Sequence, residues 1–477
     1  MLLSFIFSLF LSSANLSNDT IKGDDGSLKI NLKKQFDYII VNEVLVTGNK
    51  TTKRYIILRE LDFKENDTIK ISGLDAKLKK SKENLLNTSL FNFVTIDTSD
   101  TKENRVTIKI DVKERWYTWP VPIFELADRN FNQWWETKDF ERVNYGFFLN
   151  RDNFRGRKEH FALLARFGYS ELYGFSYNIP YINKKQNSGL GFSFTYSRNH
   201  EINYSSENNK QLFFKDEENY VREELSGKIS YTHRDGIYDS YSIEGRYFKG
   251  KVEDTVLNLT KDYFFENKNS MEYFALDFYF RSDHRDSKAY PLEGEFLDFD
   301  IVKIGTGILP EENIDMIYAS FTMKKFQKLY GRWYFASVLR GKCSSQAKQP
   351  YYTQRGLGYG RDYIRSYEYY VVDGQNYGLL KTNLKFEIVK PKVQSVRVVP
   401  LEKFNTFHYA LYANAFFDCG WVNDRVYSLT NPLANEFLFG YGLGLDFVTY
   451  YDTVIRLEYS FNRNRENGLF LRFATPI

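Results

Sequence analysis

From Trp116 almost to the end of the chain, apolar and polar residues alternate. In YGLGLDFVT, Tyr441, Leu443, Leu445 and Phe447 share one side of an extended backbone, and Gly442, Gly444 and Asp446 share the other. VIRLEYSF sets Ile455, Leu457, Tyr459 and Phe461 against Arg456, Glu458 and Ser460, and LLKTNLKFEI sets Leu380, Thr382, Leu384, Phe386 and Ile388 against Lys381, Asn383, Lys385 and Glu387. EYFALDFYFRSD repeats the arrangement, with Phe274, Leu276, Phe278 and Phe280 opposite Tyr273, Asp277, Tyr279 and Arg281. A period of two predicts strands with one greasy and one largely polar face.

Upstream the pattern differs. Tyr38 to Asn49 reads as a strand stopping at Gly48-Asn49, and TTKRYIILREL reads as a helix with Thr51 or Thr52 at its N-cap. A second helix is expected from about Ser72 to Asn87, followed by the strands LFNFVTIDTSD and RVTIKIDVKE. Strand, helix, helix, strand, strand fits a compact α+β domain over 37–115, with its second helix on one face of a small sheet. Before it, MLLSFIFSLFLSSA predicts a signal peptide over 1–14, and the polar stretch 15–36 a flexible spacer.

The alternating segment, 116–477, fits either a soluble sandwich or a closed barrel. Alternation continues without intervening helices, and an open sheet that long must split or curl. Aromatics gather near segment ends, as in FFLNRDNF and YYDT, like the girdles of a membrane barrel. Closure also removes edges that hydrocarbon would leave unpaired. The expected fold is therefore mainly β: a transmembrane antiparallel barrel of about 16 strands behind one small α+β domain. Long polar tracts at Arg198–Asn219 and Gly341–Tyr370 read as outer loops, and short links such as NKKQNSG as inner turns.

Composition agrees. Aromatic residues make up 18% of the 477 residues, with 37 Tyr and 42 Phe, yet no apolar run is long enough for a helical span. A net charge of +4, spread along the chain, offers no footprint for nucleic acid. Cys343 and Cys419 match no metal spacing and predict no disulfide framework. The five histidines form no HExxH, no GxSxG elbow occurs, and GLGYGRD lacks the spacing of a dinucleotide site. No enzyme, metal or cofactor is expected.

Three motifs remain. RSDHRDSKAYPLEGEF holds Asp283, Arg285 and Asp286, then Tyr290, Pro291 and Gly294. Carboxylate catalysis needs two groups facing one pocket, whereas neighbours on a strand face opposite ways. A hairpin held by Asp–Arg pairing is the simpler reading. GLGYGRDYIRSYEYYVVDG holds Ile364, Arg365, Ser366 and Tyr367, and FFDCG places Phe416, Asp418 and Gly420 at alternate positions. Taken alone, Arg365 reads as a surface arginine among loop tyrosines, held by cation–π contact.

Together and in this order, the motifs and the preceding domain resemble the BamA/TamA family of outer-membrane barrels, whose periplasmic units are POTRA (polypeptide-transport-associated) domains. ERWYTWPVPIFELADRNFNQWW resembles the single-POTRA members common in the Bacteroidota. The resemblance implies 16 strands whose first and last members pair poorly, leaving a lateral seam. It also implies that the loop carrying Ile364-Arg365-Ser366-Tyr367 folds into the lumen, where its arginine meets an acidic group of the wall. Asp418 is placed to accept two N–H donors from Arg365. Ser366 stands where the family has glycine, and Pro476-Ile477 ends a last strand that in ENGLFLRFATPI carries no terminal aromatic.

The implied function is insertion of unfolded outer-membrane clients through the seam, with the POTRA domain in the periplasm. The alternatives are a secretion pore for one dedicated exported partner and a structural barrel without clients. The implied partners are unfolded outer-membrane or exported proteins, outer-membrane lipid and, left open, accessory lipoproteins.

Overall fold

The computed structural model describes residues 36–102, 104–126, 143–310, 312, 314–395, 406–426, 428–449 and 453–474. The signal peptide expected over 1–14, the spacer over 15–36 apart from Phe36, and Pro476-Ile477 lie outside the described residues.

The small unit runs β1 (Tyr38–Thr47), α1 (Arg54–Leu58), β2 (Thr68–Lys70), α2 (Ile71–Asn87), β3 (Phe91–Lys102) and β4 (Arg105–Glu114). Its sheet has the order β2-β1-β4-β3, with β1 parallel to β4 and the other neighbours antiparallel. Leu74, Leu78 and Leu85, spaced for one helical face, pack with Val41, Ile108 and Ile110 of the sheet. Two expectations are corrected. β2 is an additional strand, too short for periodicity to reveal, and it pairs with β1. The first helix is only five residues long, and Lys53 stands at its N-cap without a side-chain cap bond. Thr52 instead gives its amide and hydroxyl to the Glu114 carboxylate, both at 2.6 Å.

The rest is one large sheet and its loops. Its first members are β5 (Thr118–Leu126), β6 (Val143–Phe154), β7 (Glu159–Gly168), β8 (Ser170–Ile179) and β9 (Ser188–Asn199). A separate hairpin, β10 (Glu201–Glu207) and β11 (Lys210–Lys215), occupies the polar tract expected to be plain loop. There follow β12 (Arg222–Asp235), β13 (Asp239–Val252), the short helix α3 (Asp254–Leu259), β14 (Ser270–Asp283), β15 (Gly294–Ile304), β16 (Met316–Lys328) and β17 (Trp333–Ser344). β18 (Asn376–Ser395), β19 (Thr406–Asn423), β20 (Phe437–Val448), β21 (Val454–Asn462) and β22 (Asn467–Ala474) complete it. Leaving out the hairpin, consecutive strands pair antiparallel into a 16-stranded sheet that begins at β5 and ends at β22. Among the described residues no ladder joins those two.

The faces are inverted relative to a soluble protein. On β18 the charged and amide row Lys381, Asn383, Lys385 and Glu387 is buried, while Leu384 and Ile388 are exposed. On β21, Arg456, Glu458 and Ser460 are buried, while Leu457 and Tyr459 face out. A greasy exterior over a polar interior is the pattern of a barrel bathed in lipid. None of the helices described is long and apolar enough to cross a membrane.

Candidate functional site

The loop between β17 and β18 folds back against the inner wall formed by β18 to β21. Arg365 is 2% exposed, and every N–H of its guanidinium is used. Nε donates to Asp418 Oδ2 at 2.7 Å and Nη2 to Oδ1 at 2.5 Å; Nη1 donates to Asn383 Oδ1 at 2.7 Å and to Glu458 Oε1 at 3.1 Å, and Nη2 also reaches the Thr382 carbonyl at 3.2 Å. The Arg365 amide adds a 3.2 Å bond to Asp418. The guanidinium lies over the Phe416 ring, 3.7 Å from its centroid. Phe416 and Asp418 reach it together because they are two apart on β19 and share its inner face. The cation–π contact read for an isolated arginine is thus present, but the surface position is corrected: this arginine is buried among carboxylates.

Glycines make the seat. A Cβ on Gly440 of β20 would lie 2.0 Å from the Arg365 carbonyl oxygen, and one on Gly420 would come within 3.0 Å of Ile364 and Leu357. Ile364 and Tyr367 are buried, and Tyr367 closes a turn by donating its amide to the Ile364 carbonyl at 3.0 Å. Ser366, inside that turn, has φ +77°, the left-handed region that glycine enters without strain. The turn therefore forms with serine in place.

The ionic chain continues along the wall. Glu458 forms an ion pair with Arg472 of β22 at 3.1 Å, and Arg472 also contacts Tyr363 and Glu368 of the loop. Arg456 forks Asp446 at 2.7 and 3.1 Å, and Asn414 supplies a third donor at 2.9 Å. Tyr290 donates its hydroxyl to Asp446 at 2.7 Å. Tyr290 comes from the turn after β14, so one connected polar chain links a loop from one end of the barrel to a turn from the other. Three arginines, Arg365, Arg456 and Arg472, face three carboxylates, Asp418, Asp446 and Glu458.

The third motif forms that turn. Arg285 forks Asp283 at 2.7 and 2.8 Å, and Asp286 accepts the amides of Ser287 and Leu292. Gly294 has φ +101°, and a Cβ there would meet the His284 carbonyl oxygen at 2.3 Å. Pro291 follows Tyr290 in this turn. Sequence reasoning missed what the turn touches: Asn87 of α2 donates to the Arg285 and Asp286 carbonyls and accepts the Lys288 amide at 2.8 Å.

The small unit is clasped to the barrel elsewhere too. Glu60, 2% exposed, is forked by Arg234 at the end of β12 at 2.7 and 2.8 Å and receives the Tyr181 hydroxyl. Burial alone would raise its pKa, but Lys158, the Arg234 hydrogen bonds and the charges of Arg234 and Arg59 hold it down at about 2. Asn153, near the end of β6, donates to Thr52 at 2.8 Å. None of these pairings has a local sequence signature.

At the end away from the small unit, loops close over the barrel. Tyr263, Phe264, Phe248, Val256 and Ile202 form one apolar cluster there. Beneath it an inward polar cavity of about 560 Å³ is lined by residues including Glu224, Lys228, Arg246, Asp300 and Arg355.

Residues 39–115 match the POTRA family, described as "Surface antigen variable number repeat". A 78-residue stretch is 36% identical to the outer membrane protein assembly factor BamA of Nitratidesulfovibrio vulgaris strain Hildenborough. That alignment covers 16% of this chain and 9% of the relative. CdiB from Escherichia coli superposes with a TM-score of 0.53 at 11% identity, covering 92% of this chain and 74% of that one. BamA from Haemophilus ducreyi lacking POTRA domains 1–3 gives 0.48 at 15% identity, over 91% and 83%. The class is thus an outer-membrane-type β-barrel carrying a POTRA domain. Within it, residues 39–115 are POTRA-like, and the chain shares the barrel fold of CdiB.

Proposed function

We propose that this protein is an outer-membrane insertase that receives unfolded barrel clients on its POTRA domain and passes them into lipid through the seam between β5 and β22. The observation that carries this reading is the missing ladder between those strands among the described residues, beside a lumen occupied by the Arg365 loop. Edge backbone groups at membrane depth need strand partners, and an incoming client strand supplies them. The POTRA edge strand β3 offers a first station of the same kind. No nucleotide is required, because burying a client's apolar exterior in lipid is itself favourable. Clients, lipid and any accessory lipoproteins are the partners of this reading; the barrel lies in the outer membrane with its POTRA end in the periplasm. Depletion followed by quantitative proteomics of the outer membrane tests it: broad loss of barrel proteins is expected, and unchanged levels would refute it.

The inward polar cavity of about 560 Å³ favours a second reading, a secretion pore for one dedicated exported partner. Depletion would then remove one exported protein and leave the barrels in place. Deleting the Arg365 loop would raise ion conductance.

A further inference from the structure

The inward cavity of about 560 Å³ lies between the β17–β18 loop and the wall formed by β9 and β12 to β18. Its charges are mostly spent on one another. Arg246 donates to Glu244 at 2.9 and 3.3 Å, and Lys228 pairs with the same carboxylate at 3.3 Å. Asp362 is held by Arg340 and accepts the Tyr377 hydroxyl at 3.0 Å. The Lys342 ammonium donates to the Arg355 carbonyl at 3.1 Å, and Glu224 pairs with Arg222 at 3.4 Å. A lining so neutralised has little field left with which to select a simple anion or cation.

What the cavity keeps in quantity is neutral hydrogen-bonding capacity. Tyr273, Tyr318, Tyr352, Tyr359 and Tyr377 line it together with serines and threonines from β9, β12, β16 and the loop. Each hydroxyl can donate and accept. Two charged groups stand out from the rest. Asp300, on the β15 wall, has a buried carboxylate oxygen without a hydrogen bond among the described residues. The Arg355 guanidinium, on the loop, lies over the Tyr359 ring at 5.4 Å from its centroid and enters no ion pair among the described residues.

We infer that this cavity is a binding site for a saccharide of one or two rings. A sugar ring carries hydroxyls that donate and accept around its whole rim, has no net charge to desolvate, and offers C–H groups to the negative faces of tyrosine rings. The cavity volume falls within the roughly 300–1,000 Å³ of small-molecule sites. Asp300 accepts from hydroxyls of the ligand and Arg355 donates to them, so the two fix its orientation from wall and loop. A fatty ligand would leave these polar groups unpaired. An oxyanion would find Arg355 uncommitted but Lys228, Arg246 and Lys342 already engaged. The site stands whether the barrel inserts clients or exports a single partner.

Saturation-transfer NMR on the full chain, solubilised in a detergent without a sugar head group, tests the assignment. The probes are glucose, N-acetylglucosamine and lactose, each at about 10 mM to reach weak affinities. Transfer from the protein to the ring protons of one or more of these sugars is expected, with none to glycylglycine or methyl phosphate. R355A and D300N should each weaken the binding about tenfold, the factor carried by one hydrogen bond to a charged group. Both should keep the heat-dependent gel shift of the folded barrel. F194A, on the outer face of β9, should bind as the parent chain does. Silence from all three sugars, stronger transfer to glycylglycine or methyl phosphate, or full binding by either R355A or D300N would overturn the assignment.

Discussion

Arg365 and Asp418, 53 residues apart in sequence, share three hydrogen bonds: one from the backbone amide and two from the guanidinium edge. Asp418 is wholly buried, so neither partner has water to fall back on. D418A therefore leaves the buried cation with Glu458 as its remaining carboxylate and should loosen the loop by up to about 3–5 kcal/mol. The double variant R365A/D418A should cost clearly less than the sum of the single changes. Protease cleavage within 345–375, followed over time on the folded barrel, measures both.

Ser366 holds φ +77°. Left-handed backbone costs a residue with a side chain about 1–2 kcal/mol, and glycine loses up to about 1 kcal/mol more unfolded-state entropy. S366G should therefore protect the loop by roughly 0.5–1 kcal/mol, read as slower amide exchange at Tyr367. Faster exchange would mean that the serine contributes more than its strain.

Gly440 presses on the Arg365 carbonyl, whereas a Cβ on Gly378 of β18 would meet nothing within 4 Å. G440A should expel the loop and raise its cleavage rate; G378A should leave the rate unchanged. Equal behaviour of the two variants would refute a close-packed seat.

Glu60 ties the POTRA unit to Arg234. Its pKa falls from 4.5 to about 2 when clasped, so the ionised form favours the clasp. That contribution, on the order of 3 kcal/mol, is fully present above about pH 4.5 and disappears as pH falls toward 2. E60Q should remove it at neutral pH. A distance probe between α2 and the turn after β12 should show the variant undocking more readily, and its remaining acid response should be shallower than that of the parent chain.

Alternation made the barrel legible because a strand between lipid and water must sort its side chains at every second position; LLKTNLKFEI does so without a break. The same rule says which face a residue takes but not which neighbour it meets. Hence Glu458 and Asn383, whose inward positions follow from their strands, could not be assigned to Arg365 before register was known. The family motif pairs Arg365 with an acidic group of the wall; nothing in local sequence does so for Glu60 and Arg234, which belong to different domains. β2 was missed because three residues make too short a period. The β10–β11 hairpin was missed because its few aromatics, such as Phe213 and Phe214, sit among charges and asparagines.

Arg472 gives the two sides of the seam different freedoms. It projects inward from β22 onto Glu458 of the wall and onto Tyr363 and Glu368 of the loop that Arg365 anchors. Swinging β22 away would tear ion contacts as well as a ladder. The last strand is thus splinted from within, a stationary jamb; on the insertase reading, widening of the slit falls to β5 across from it.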